Sequence, residues 1–144
     1  MIEFRHVGIT VTNIERSLEF YRELLGFEVY KDMEESGEYI DNFSGIKDIK
    51  VRTVKMKATD GSLIELLEYK SHRNDNTKCK NELITTIGCS HFALTTDDLD
   101  YLYKKLSHRG IRFNSEPQLS PDGYAKIAFC RDPDGVLIEL VEVL

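Results

Sequence analysis

The sequence predicts an α+β fold built from two copies of a strand–helix–three-strand (βαβββ) unit. Two observations carry this. The nine residues Asp60-Gly61-Ser62-Leu63-Ile64-Glu65-Leu66-Leu67-Glu68 return almost unchanged as Asp134-Gly135-Val136-Leu137-Ile138-Glu139-Leu140-Val141-Glu142. Upstream of each copy the same periodicities recur in the same order, a short alternating strand and then a helical stripe.

In the first copy, His6–Val11 alternates: Val7, Ile9 and Val11 share one face, while Phe4, His6, Gly8 and Thr10 share the other. Asn13 is placed to cap a helix. Ile14, Leu18, Tyr21 and Leu25 then recur at helical spacing, and Gly26 stands at the C′ position. Strand-like segments follow at Phe27–Lys31, Lys50–Ala58 and Leu63–Tyr69, with a less regular stretch up to Asp48 after the first. The second copy opens with His91–Thr95, where Phe92 and Leu94 share a face and His91 and Ala93 the other. Asp98 caps a helix with the stripe Leu99, Leu102 and Leu106, which ends at Gly110. Arg112–Asn114, Ala125–Cys130 and Val136–Val143 supply its later strands. Asp60-Gly61 and Asp134-Gly135 are hairpin signals. The expected organisation is a first module over 1–69, a polar linker over 70–88 and a second module over 89–144. Each module is small for a core of its own, so the two are expected to pack as one domain.

Composition excludes several function classes. A formal net charge of −6 argues against general nucleic-acid binding. No apolar run approaches the ~20 residues of a membrane span, and no signal peptide is evident at Met1–His6. Cys79, Cys89 and Cys130 are odd in number and widely spaced, which suits a reducing compartment rather than a disulfide framework. A cytoplasmic protein acting on a small molecule, with no nucleic-acid or membrane partner, is expected.

The repeat places Glu65 and Glu139 in the middle of apolar strands. A buried unpaired carboxylate is costly, so each needs a partner. The helices need the apolar faces Val7/Ile9/Val11 and Phe92/Leu94, which turns His6 and His91 away from them. The faces Ile64/Leu66 and Ile138/Leu140 can also pack on the helices, so Glu65 and Glu139 can point the same way as the histidines, into a concave surface. Two copies related by a pseudo-twofold axis would then bring His6, Glu65, His91 and Glu139 around one divalent cation. Mixed nitrogen and oxygen donors suit Zn, Ni, Co, Mn or Fe.

These residues resemble the vicinal oxygen chelate superfamily, which includes glyoxalase I, methylmalonyl-CoA epimerase, extradiol dioxygenases and the fosfomycin and bleomycin resistance proteins. The resemblance is carried by His6-Val7-Gly8-Ile9, the helix end Phe20-Tyr21-Arg22-Glu23-Leu24-Leu25-Gly26-Phe27, His91-Phe92-Ala93-Leu94, and Arg131-Asp132-Pro133-Asp134-Gly135 running into Ile138-Glu139-Leu140. It implies paired βαβββ modules forming a curved, cup-shaped mixed sheet around a metal, with helices on the outer face. It implies His6, Glu65, His91 and Glu139 as ligands. The expected activity is that of a glyoxalase I-like (lactoylglutathione lyase-like) lyase or isomerase. It would move a proton next to a carbonyl through a metal-stabilised enediolate, with Glu139 as base and Glu65 as ligand or second base. Alternatives are a methylmalonyl-CoA epimerase-like enzyme, an extradiol-type dioxygenase and a non-catalytic small-molecule binding protein. Glutathione-dependent members carry an arginine where this chain has Thr10, and the linker lacks their Asn-Trp-Gly stretch. A different acyl or hydroxy-carbonyl substrate therefore stays open.

Other polar residues have modest expected roles. Tyr124 and Lys126 precede a strand that can line the cup, with solvent-facing positions as the plainer expectation. Arg131 is expected in a turn or salt bridge, Cys89 as a buried inert thiol, His108 as a helix C-terminal cap and His72 as solvated. A homodimer is expected, with the modules pairing within one chain or exchanging across the dimer.

Overall fold

Both copies of the repeat fold as their periodicities dictate. The computed structural model describes residues 1–74, 84–85 and 87–144. It divides into two units, Met1–Asp75 and Asn76–Leu144. Most of the linker expected over 70–88 lies outside the described residues, as does Cys79.

The first unit runs β1 (Val7–Thr10), α1 (Ile14–Leu18), a π-helical segment (Glu19–Leu24), β2 (Glu28–Ser36), α2 (Glu38–Ser44), β3 (Lys50–Lys57) and β4 (Leu63–Tyr69). Its four strands lie in the order β1-β4-β3-β2, with β1 parallel to β4 and the other pairs antiparallel. The second unit runs β5 (Phe92–Thr95), α3 (Leu99–His108), β6 (Gln118–Leu119), β7 (Ala125–Arg131) and β8 (Leu137–Val143). Its order, β5-β8-β7-β6, repeats the same pattern of one parallel and two antiparallel pairs. The fold is α+β. The tight turns between β3 and β4 and between β7 and β8 hold Gly61 at φ +89° and Gly135 at φ +95°, conformations glycine adopts without a side-chain clash.

Each sheet packs one face against its helix. In the first unit Ile9, Val11, Ile14, Leu18, Phe20, Tyr21, Val54, Met56, Ile64 and Leu66 are all buried. In the second, Leu99, Leu106, Ala128, Cys130, Ile138 and Leu140 are buried, while Leu102 of the expected stripe is half-buried. Asn13 caps α1, its Oδ1 accepting from the Arg16 N–H at 2.9 Å; Asp98 caps α3, accepting from the Tyr101 N–H at 2.8 Å. These side chains satisfy amides that have no partner within their helices.

Three local differences from the sequence expectations have physical causes. The first helix widens at its end: the Leu25 N–H reaches back to the Phe20 carbonyl at 3.1 Å, an i→i−5 bond. The wider turn changes the angular step per residue, so Phe20 and Leu24 are buried and Leu25 is only half-buried. The irregular stretch before Asp48 contains α2, a seven-residue helix between Gly37 and Gly45, both at positive φ. In the second unit, Arg112–Asn114 makes only a single bridge, Phe113 to Cys130, and the two-residue β6 takes the outer position.

Candidate functional site

Register places the repeat glutamates beside the first strands. Glu65 pairs with Gly8 across β4 and β1, and Glu139 pairs with Ala93 across β8 and β5. Cross-strand partners share a face, and so do residues two apart on one strand. His6 therefore lies on the Glu65 face and His91 on the Glu139 face, opposite the faces that carry the helix-packed Ile64, Leu66, Ile138 and Leu140.

The side chains meet accordingly. His6 Nε2 lies 3.3 Å from Glu65 Oε2, and His91 Nε2 lies 3.2 Å from Glu139 Oε2. All four side chains keep partial exposure, from 14% for Glu65 to 33% for His6, so each pair is reachable from solvent while partly screened from it. Within each unit, among the described residues, no third His, Cys, Asp or Glu gathers with the pair.

The two His–Glu pairs differ on the strand that pairs with the glutamate. In the first, Lys55 stands in register with Glu65 and its Nζ lies 2.9 Å from Oε1, leaving Oε2 toward His6. In the second the matching residue is Phe129, in register with Glu139 and packed edge-on against the His91 ring at 5.2 Å. Ser90 adds a contact to His91, its Oγ 2.7 Å from Nδ1. A hydroxyl both donates and accepts, so it can serve either imidazole tautomer. α2 also bears on the His6–Glu65 pair. Ile40 packs with Ile49, Val51, Leu67 and Tyr69, and by register Val51, Leu67 and Tyr69 lie on the Glu65 face. The helix thus covers the part of that face next to Glu65.

The remaining candidates separate. Lys126 is in register with Glu142 on the helix side of its sheet and pairs with Asp100 at 2.6 Å, so it does not share the Glu139 face. Tyr124 is exposed. Arg131 closes the β7–β8 turn, donating from Nη1 to the Gly135 carbonyl at 2.8 Å. His108 Nδ1 lies 2.8 Å from the Lys104 carbonyl at the end of α3, and His72 is exposed beside Ser71. Cys89 is exposed rather than buried, because it lies in the segment before β5, outside the sheet packing. The buried thiol is Cys130: burial, helped by the Asp132 charge, pushes it up to about 12.

The sequence reading missed the second glutamate of each repeat. Glu68 Oε2 accepts from the Ile14 N–H at 3.3 Å, and Glu142 Oε2 from the Leu99 N–H at 2.9 Å. Each carboxylate ties the last strand of its unit to the first turn of its helix. Their signal was present, since the nine-residue repeat ends on glutamate in both copies.

Comparison with known proteins agrees with this architecture. A Saccharomyces cerevisiae protein named glyoxalase I is 31% identical over 96% of this chain, and the chain spans 43% of that relative's length. A Synechocystis protein named probable lactoylglutathione lyase is 29% identical, over 95% of this chain and 92% of its own. The crystal structure of a glyoxalase family protein from Bacillus cereus superposes with a TM-score of 0.91 at 21% identity, covering 100% of this chain and 95% of that one, which shows a shared fold. The profile of one family matches residues 3–140, and the chain belongs to that family, the Glyoxalase/Bleomycin resistance protein/Dioxygenase superfamily.

Proposed function

We propose that the chain works as a glyoxalase I-like lyase or isomerase, moving a proton between the two carbons of a hydroxy-carbonyl or hemithioacetal substrate with the help of one divalent cation. The observation that carries this is the repeated His–Glu pair, His6 with Glu65 and His91 with Glu139, at 3.3 and 3.2 Å. The names of the relatives, glyoxalase I and lactoylglutathione lyase, point the same way.

The donors fit such an ion. Two donors about 2.1 Å from one cation and roughly 100° apart lie about 3.2 Å from each other, the spacing found in both pairs. Imidazole nitrogen with carboxylate oxygen is the donor set of borderline divalent metals. His6, Glu65, His91 and Glu139 would hold the ion between them. When bound, it would polarise the neighbouring substrate oxygens and stabilise negative charge developing on them.

The rest falls to the chain's own groups. Lys55 holds Glu65 Oε1, leaving Oε2 toward His6. Among the described residues, no lysine or arginine pairs with Glu139. Glu139 is therefore the better placed to take the proton from one carbon and return it to the next. Phe129 against His91 limits water on that side. Ser90 holds His91 Nδ1 and so fixes the orientation of its Nε2.

The test is proton exchange at the substrate carbon in deuterated water, using the methylglyoxal–glutathione hemithioacetal and a set of acyl-CoA thioesters. Wild-type protein should incorporate deuterium and Glu139→Gln should not, with bound metal measured on both. Exchange retained in Glu139→Gln would remove that residue as the base.

A further inference from the structure

The bulge in β2 selects which of its side chains faces the site. Val29 pairs with Met56, and the next pairing is Lys31 with Lys55, so Tyr30 is an extra residue. Without it, Tyr30 would stand opposite Lys55, and Lys31 would stand opposite Val54 on the helix side. The inserted residue moves Lys31 to the Glu65 face, as bulges do where a side chain must be re-aimed.

The result is one row across all four strands: Gly8, Glu65, Lys55 and Lys31, each in register with the next. Two ammonium groups on directly paired residues repel each other. Glu65 offsets one of them through its 2.9 Å contact with Lys55. Lys57, in the adjoining row, lies over the Tyr30 ring at 5.5 Å. Glu35, on the same face, is engaged by the Thr53 hydroxyl at 2.6 Å. Lys31 is exposed, and no ion pair to it is present among the described residues. Glu28 stands in register with Lys57, and the Glu35 charge also acts on Lys55, so among the described residues Lys31 is the ammonium of this face with no carboxylate paired to it. The corresponding row of the second unit is Ala93, Glu139 and Phe129, with no cation.

We propose that Lys31 and Lys55 form an anion-binding subsite on the Glu65 face, which takes a carboxylate or phosphoryl group of the substrate. That the occupant is part of the substrate rests on the lyase reading above; that the row binds an anion does not. Thr10 faces the same surface, one row from Gly8, and supplies no charge there. The cations come instead from the far strands of the sheet, so the anionic end of the substrate would extend across β3 toward β2.

The test titrates inorganic phosphate and, separately, acetate into the chelator-treated full chain, following the backbone amide resonances of residues 31 and 55. Saturable shifts are expected. Lys31→Met should weaken binding about tenfold, the order expected for loss of one charge-assisted contact. Lys104→Met, an equal loss of charge on the surface of α3, should leave binding unchanged. Binding of phosphate alone identifies a phosphoryl group, and binding of both admits a carboxylate. Absence of saturation, or equal weakening by Lys31→Met and Lys104→Met, would overturn the subsite. In turnover, Lys31→Met should raise KM while leaving kcat in place, the mark of lost uniform binding. Anion binding without substrate proton exchange would sink the lyase reading alone; exchange with KM and anion binding unmoved by Lys31→Met would sink the subsite alone.

Discussion

Glu68 and Glu142 do at the helix starts what Glu65 and Glu139 do at the opposite face. Each repeat strand carries one carboxylate for each side of its sheet. Burial raises the Glu68 carboxyl, but the Lys70 ammonium at 2.8 Å and the Ile14 N–H outweigh it, and the group ends below its ordinary value of 4.5. A carboxyl lowered in the folded state stabilises the fold above its unfolded pKa, and that contribution disappears as pH falls through the folded value. Glu68→Gln should therefore destabilise the chain at pH 7 by about 1 kcal/mol, typical of a charge at a helix N-terminus. The difference from wild type should shrink as pH falls below 4.5. Urea midpoints of both proteins from pH 7 to pH 3 would measure this, and a difference independent of pH would contradict it. The cysteines give a second expectation at this scale. Thiolate is the reactive form. Cys89 is exposed, and Cys130 is buried with its thiol pushed up to about 12. Iodoacetamide at pH 8 should label Cys89 in the folded chain and reach Cys130 only after denaturation, as peptide mass analysis would show.

Elements with a full apolar stripe were legible in the sequence, and those held by backbone or single side chains were not. β4 and β8 read clearly because both of their faces are apolar around two glutamates that recur in the repeat, and α3 because its stripe and Asp98 cap agree. α2 leaves no stripe: Ile40 is buried, while Tyr39 and Phe43 are exposed and meet edge-to-face at 5.2 Å. Its position depends instead on Asp41, whose two carboxylate oxygens accept from the Asp48 and Ile49 N–H groups at 2.8 and 3.1 Å. The β2 bulge left no sequence signal either, because it is a property of the pairing between two strands. The His–Glu pairs were legible because they recur at matching places in the repeat. Lys55 was not, since its role follows from its register with Glu65. Asp41→Ala should leave two backbone donors without their partner, a loss of about 1–3 kcal/mol confined to α2 and its return to β3. Hydrogen exchange should quicken at Asp48 and Ile49 while the amides of β4 and α1 keep their protection. Equal loss of protection throughout the unit would mean that α2 is part of its folding core.

At the scale of the whole chain, each of two similar units carries one His–Glu pair, and the donor count decides how the proposed cation would be held. A His–Glu pair alone offers two donors, fewer than the four of a closed structural zinc site or the three usual at a catalytic one. A shell shared by both pairs thus predicts one cation per chain, lost on removing either histidine. Elemental analysis should find His6→Ala and His91→Ala each far below one equivalent; two independent ions would leave about half the metal in each variant. The stability of the chain should follow. A ligand at a hundred times its Kd stabilises the folded form by about 2.7 kcal/mol, so metal should raise Tm in wild type and not in either variant. Mixing the two variants then reads the assembly. If units are exchanged across a homodimer, a mixed dimer regains one intact set, His6 and Glu65 from one chain with His91 and Glu139 from the other, and metal returns to part of the sample. If each chain completes its own set, every set in the mixture lacks one histidine and no metal is recovered.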